Sequence, residues 1–185
     1  AGFLGILISI ERVVALGQRW MFAAPMFSAL GVMALVVGAP APIGPALMTL
    51  GSLVLVAIYL VIVRRHAALY TITMLIGALL WLIGNLVWLS GQPMFRIVFW
   101  WGGFLVLTIV GERLELGRLL QLPARVRWVF VGAVSALLAG LVLSMIDPSI
   151  GNRLVGVGML ALALWLLLFD IARRTVKQTG LTRFI

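Results

Sequence analysis

From residue 2 to residue 171 the chain is a succession of apolar runs. Each is close to the length, about 20 residues, that a helix needs to cross a hydrocarbon core of about 30 Å. Seven such runs are expected to be transmembrane helices: residues 2–16, 21–39, 45–63, 69–89, 95–110, 126–145 and 154–171. The breaks between them carry helix-ending chemistry. "GAPAPIGP" separates the second run from the third, "SGQPMFR" the fourth from the fifth, and "MIDPSIGNR" the sixth from the seventh. Proline lacks a backbone donor and clashes with the preceding turn, so such clusters stop a helix. The expectation is an all-α, polytopic transmembrane helix bundle with seven visible spans.

Composition agrees with this reading. Charged residues make up 10% of the chain and apolar residues 64%, with a mean hydropathy of +1.22. A soluble domain carries about 25% charged residues. There is no cysteine, which excludes disulfides, iron–sulfur clusters and thiolate metal sites. A net charge of +9 would point to nucleic acid in a soluble protein. In a membrane protein it points instead to cytoplasmic loops rich in Lys and Arg, so no nucleic-acid partner is expected. The chain starts inside an apolar run without a basic leader, and "TGLTRFI" reads as the opening of a further one. The sequence is therefore expected to be a fragment of a longer protein.

The basic residues set an orientation. Arg12, Arg19, Arg64, Arg65, Arg113, Arg118, Arg125, Arg127, Arg173, Arg174, Lys177 and Arg183 fall on one side of the seven-span scheme, and only Arg96 and Arg153 on the other. The positive-inside rule places the first side in the cytoplasm. The visible N-terminus is then outside and the C-terminus inside a bacterial inner membrane. Trp20, Trp88, Trp100, Trp101 and Trp128 fall near the expected interfaces, where amphipathic rings anchor helices.

An internal likeness divides the chain further. "GFLGILISIER" from Gly2 and "GGFLVLTIVGER" from Gly102 both end in Glu-Arg. "SALGVMALVVG" from Ser28 resembles "SALLAGLVLS" from Ser135, and "VIVRRHA" resembles "DIARRTV". The successive offsets are 101, 107 and 109 residues, growing along the chain as loop insertions in a duplicated unit would make them grow. The chain is thus expected to hold a duplicated four-helix unit, residues 1–91 and 92–185. The first copy has a truncated first helix and the second lacks its fourth. An even number of spans per unit makes the copies parallel repeats.

The repeated charges are the candidate site: Glu11, Arg12, Arg64, Arg65, Glu112, Arg113, Arg173 and Arg174, read as a cytoplasmic-face ion-pair network or anion site. A carboxylate at mid-bilayer is costly and commonly functional, but at a span end beside an arginine the cost is small. Interfacial ion pairing is the simpler reading. Glu115 with Arg118, and Asp170 with Arg173 and Arg174, have the spacing of local helical pairs. Asn85, within "LIGNLVW", is the amide well inside a span and is read as a hydrogen-bonding link between helices. Gly132, Ala136, Gly140 and Ser144 recur every four residues, a small-residue stripe that lets another helix approach closely. His66 is the sole histidine and lies in a loop, and the eight methionines are scattered, so no metal site is assigned. No catalytic residue is assigned either, since phosphate-loop, zinc-helix and nucleophile-elbow motifs are missing.

The run "ARRTVKQTGLTRFI" (residues 172–185), with the helix around Trp165 that precedes it, resembles uncharacterised bacterial inner-membrane proteins related to the NnrS family. That resemblance implies an association with nitric oxide and nitrogen-oxide stress, and haem or copper in the complete protein. Its ligand histidines are not among these residues, so no ligand is carried over. The resulting expectation is a non-enzymatic or accessory inner-membrane protein of the NnrS-like kind. Its partners would be the lipid bilayer and either missing helices of its own chain or partner membrane subunits. A small-solute or ion transporter built on parallel repeats, and a structural subunit of a larger membrane complex, are the alternatives.

Overall fold

A computed structural model describes residues 2–117 and 123–170. The elements in order are α1 (Gly2–Leu16), a short 3-10 helix (Arg19–Phe22), α2 (Ala23–Val36), α3 (Ile43–Arg65), α4 (Leu69–Leu89), α5 (Met94–Leu116), α6 (Ala124–Ile146) and α7 (Pro148–Phe169). No strand occurs among the described residues. Among the described residues six helical segments are long and apolar enough to cross a membrane, α2 being counted together with the 3-10 helix as Arg19–Val36. Large apolar side chains such as Phe3, Val36, Ile146 and Leu167 are exposed on these helices, as expected where the neighbour is lipid. The helical, apolar character is that of a multi-pass membrane protein.

Three of the expected spans are corrected, the first in its reach across the membrane and the fifth and seventh in their bounds. The first run is a helix of 15 residues, about 22 Å long at 1.5 Å per residue, and is not among the six of spanning length. Gly17 ends it: its φ of +67° is the left-handed cap conformation that glycine adopts without strain. The fifth run does not stop at Val110 but continues to Leu116, carrying Glu112 and Arg113 inside the helix. The seventh begins at Pro148, six residues earlier than the apolar pattern suggests. Asp147 accepts hydrogen bonds from the Ser149 and Ile150 N–H groups at 2.9 and 3.2 Å, and proline is well placed in a first helical turn. "SIGNR" is therefore helix rather than loop.

The chain divides into two compact units, Ala1–Thr108 and Ile109–Ile185, with the boundary inside α5. In the first unit α2 and α3 form a hairpin held by small residues. A Cβ on Gly31 would stand 3.0 Å from the Met48 backbone nitrogen, and one on Gly51 would collide with Ser28. At the end of this unit where α1 and α3 finish, Val13, Met21, Ala24 and Ile58 form a fully buried cluster, with Leu16, Val61 and Ile62 packed against it. Trp81 of α4 is fully buried, stacked on Phe104 with ring centres 5.0 Å apart. Its ring fills the space where Gly5 of α1 has no side chain.

The second unit contains a hairpin, α6 with α7. A Cβ on Gly140 would stand 2.5 Å from the Val155 nitrogen, one on Gly158 would stand 2.6 Å from the Leu137 nitrogen, and one on Gly151 would collide with the Ser144 backbone. Close backbone approach through small residues is how helices gain packing energy in lipid, where burial itself supplies little driving force. The Trp165 indole N–H donates to the Val126 carbonyl at 3.0 Å, tying the end of α7 to the start of α6.

Candidate functional site

The described members of the candidate charge set lie towards helix ends, and the two members of each Glu-Arg pair behave differently. In α1 the Glu11 side chain is 60% exposed and that of Arg12 13%. Arg12 Nη2 stands 3.9 Å from Glu11 Oε1 and 3.6 Å from the Met74 sulfur of α4. The guanidinium thus turns inward beneath the last turns of α1 while the carboxylate faces out. Arg64 and Arg65 are exposed on the last turn of α3, and the Val13–Met21–Ala24–Ile58 cluster brings this end of α3 beside the end of α1. Arg12, Arg64 and Arg65 therefore share one end of the first unit. His66 caps α3 and is exposed. Its ring is tilted against Tyr70 at 6.1 Å.

In the second unit Glu112 is half-buried and Arg113 exposed. Arg113 Nε lies 3.8 Å from Asp170 Oδ2. Asp170 is the residue that ends α7, so this pair joins the last turn of α5 to the end of α7. Sequence spacing points to Arg173 and Arg174 as partners of Asp170. Those two arginines, and Arg118, lie outside the described residues.

The most completely built polar site is elsewhere. Asn85 of α4 is fully buried. Its amide nitrogen donates to the Ser52 hydroxyl at 3.1 Å and to the Met48 carbonyl at 3.2 Å, both on α3. Its amide oxygen accepts the Trp101 indole N–H of α5 at 3.1 Å. Ser52 in turn donates to the Thr49 carbonyl at 2.8 Å. Gly84 makes room for the arrangement, since a Cβ there would stand 2.7 Å from the Trp101 ring. One amide thus links three helices, with both of its N–H bonds used. Asn85 was readable from the sequence as a polar residue out of place. Ser52 and Trp101 were not, because nothing local marks a serine in an apolar helix or one tryptophan of a pair as its partner.

The small-residue stripe of α6 divides between two environments. Gly140 and Ser144 are buried and face α7, Ala136 is half-buried, and Gly132 is exposed with open space around it. Of the tryptophans read as interfacial anchors, Trp20 and Trp128 are exposed at 46% and 73%, whereas Trp100 is buried at 5%. Among the described residues no group of three or more His, Cys, Asp or Glu side chains is placed to hold a metal ion.

No curated protein and no solved structure is significantly similar to this chain. A family match runs over residues 1–185, its description being a domain of unknown function, DUF8744. With a match over its full length, this chain, whose described residues form six segments of membrane-spanning length and a three-helix polar node, belongs to the DUF8744 family.

Proposed function

We propose that this chain is a non-catalytic, accessory multi-pass protein of the bacterial inner membrane, whose internal polar groups serve helix adhesion. The observation that carries the reading is the use of Asn85: both amide N–H bonds and the carbonyl are spent on α3 and α5. A solute pathway needs polar groups left to meet the solute. The buried hydroxyls point the same way, with Ser28, Thr73 and Ser144 donating to carbonyls of their own helices.

The proposal includes the orientation with the visible N-terminus outside, supported by the gathering of Arg12, Arg19, Arg64 and Arg65 at one end of the first unit. It also includes the duplication. The second helix of each hairpin carries two tightly packed glycines, Gly44 and Gly51 in one and Gly151 and Gly158 in the other. The second pair follows the first by 107 residues at both positions, the same offset as Ser28 to Ser135. The nitrogen-oxide association rests on the NnrS-like run of residues 172–185, which lies outside the described residues.

A dithionite-reduced minus oxidised spectrum with metal analysis on the purified protein tests the redox part. Haem bands or stoichiometric copper would support the NnrS-like association and overturn a purely adhesive role. A colourless, metal-free protein would remove that association and leave the accessory reading, which then requires a stable co-purifying membrane partner.

A further inference from the structure

Each unit repeats one short motif that the helix-adhesion reading does not use. Arg19-Trp20-Met21-Phe22 opens the α2–α3 hairpin, and Arg127-Trp128-Val129-Phe130 recurs 108 residues later on the first turns of α6. The two copies are folded differently. In the 3-10 helix Met21 is the fully buried residue and Phe22 is 53% exposed, whereas in α6 Phe130 is buried and Val129 is 61% exposed. Phe130 packs on Trp165 with ring centres 5.0 Å apart. What survives this change of register is the pair itself: an exposed arginine followed by an exposed tryptophan.

The surroundings of both pairs are cationic. Arg19 shares its end of the first unit with exposed Arg64 and Arg65, and Arg127 shares the first turn of α6 with exposed Arg125. Among the described residues no carboxylate is within ion-pairing distance of any of these five arginines. The first turn of α6 has no acidic residue, although a helix start favours negative charge. The Trp20 indole N–H is held by the Gln18 side-chain oxygen at 2.8 Å, which fixes the ring outward beside Arg19. An indole at headgroup depth with unpaired guanidinium groups next to it matches an anionic phospholipid. The ring sits at the interface, and the positive charge beside it attracts an anionic headgroup.

We propose that the two Arg-Trp pairs, Arg19-Trp20 and Arg127-Trp128, are binding sites for anionic phospholipid headgroups. The inference rests on the membrane reading above, but not on its orientation or its redox part. Attraction of basic residues to an anionic leaflet is worth about a five-fold preference for each arginine near the surface.

The test uses the purified protein in nanodiscs of equal phosphatidylglycerol and phosphatidylcholine, with one or the other lipid brominated to quench tryptophan. The quenching lost on Trp20→Phe and Trp128→Phe isolates the two indoles. Brominated phosphatidylglycerol should quench them several-fold more than brominated phosphatidylcholine. Arg19→Gln and Arg127→Gln should each reduce that preference about five-fold, while Arg19→Lys and Arg127→Lys, which keep the charge, should retain most of it. Inorganic phosphate at matched ionic strength should leave the preference unchanged. Circular dichroism of each variant checks folding, and where a glutamine variant is unstable the unequal quenching of the parent indoles by the two lipids carries the test. Equal quenching by the two lipids, a preference indifferent to the glutamine changes, or its removal by free phosphate would each overturn the proposal. Failure of the protein to enter nanodiscs would overturn the membrane reading instead.

Discussion

The side-chain oxygen of Asn85 accepts the indole N–H of Trp101 at 3.1 Å, so that a fully buried amide on α4 and a half-buried ring on α5 satisfy each other. With Ser52 on α3 bonded to the same amide, the node fixes the rotation of three helices about their axes. Apolar side chains alone specify rotation poorly when lipid and protein are equally apolar, since neither face of a helix is then disfavoured. A hydrogen bond with one geometry removes that freedom.

Asn85→Leu should therefore lower the stability of the protein in detergent by about 1–2 kcal/mol. That range follows from interhelical bonds worth about 0.6 kcal/mol on average, plus the cost of leaving Trp101 and Ser52 unmatched. A double-mutant cycle with Trp101→Phe isolates the single bond, and a coupling indistinguishable from zero would show that the node does not hold the helices together.

The glycines divide into two classes that a stability scan should separate. Gly140 and Gly158 face backbone atoms of the opposing helix, which cannot move aside as a flexible side chain can. Gly140→Leu and Gly158→Leu should each cost about 3 kcal/mol or more, at or beyond the upper end of ordinary overpacking. Gly132 and Gly156 have open space around them, so alanine at either should be neutral or slightly stabilising. Thermal unfolding in detergent reads both, and equal effects in the two classes would reject the packing of α6 on α7.

Gly5 and Trp81 offer an optical test of the first unit. The space of a Gly5 Cβ is already occupied by the Trp81 ring, and that ring is stacked on Phe104 at an interplanar angle of 11°. Gly5→Ala should displace the indole and unstack the pair, reducing near-ultraviolet circular dichroism and costing about 1–3 kcal/mol. A variant with unchanged spectrum and melting temperature would place α1 elsewhere.

The sequence made some of this fold plain and concealed the rest for identifiable reasons. The bounds of α4, Leu69–Leu89, follow directly from "RRHAA" and "LSGQP", where charge and turn residues coincide with the end of the apolar run. The start of α7 was concealed because Gly151, Asn152 and Arg153 look like loop residues. The stronger signal was Asp147-Pro148, a cap followed by a first-turn proline. The end of α5 is concealed because charge at the end of an apolar run looks like an exit from the helix, whereas Glu112 and Arg113 continue it. The candidate site was legible only as a set of helix ends. The inward turn of Arg12 and the reach of Arg113 to Asp170 depend on neighbouring helices. Likewise the partners of Asn85 lie 33 and 16 residues away on other helices, and no local pattern marks them.

The proposed orientation can be tested directly because the chain contains no cysteine, so a single introduced thiol reports one position. Ala67 lies between α3 and α4, Gln92 between α4 and α5, and Ala41 between α2 and α3, and all three are exposed. Since α3 and α4 are each long enough to cross the membrane, Ala41 and Gln92 should share one side and Ala67 the other. With Arg64 and Arg65 holding their end in the cytoplasm, Ala41→Cys and Gln92→Cys should react with an impermeant maleimide in intact cells. Ala67→Cys should react only after the membrane is opened. The reverse pattern would invert the orientation while preserving the spans. Labelling of Ala67→Cys and Gln92→Cys from the same side would mean that α4 does not cross, and the membrane reading of the first unit would then fail with it.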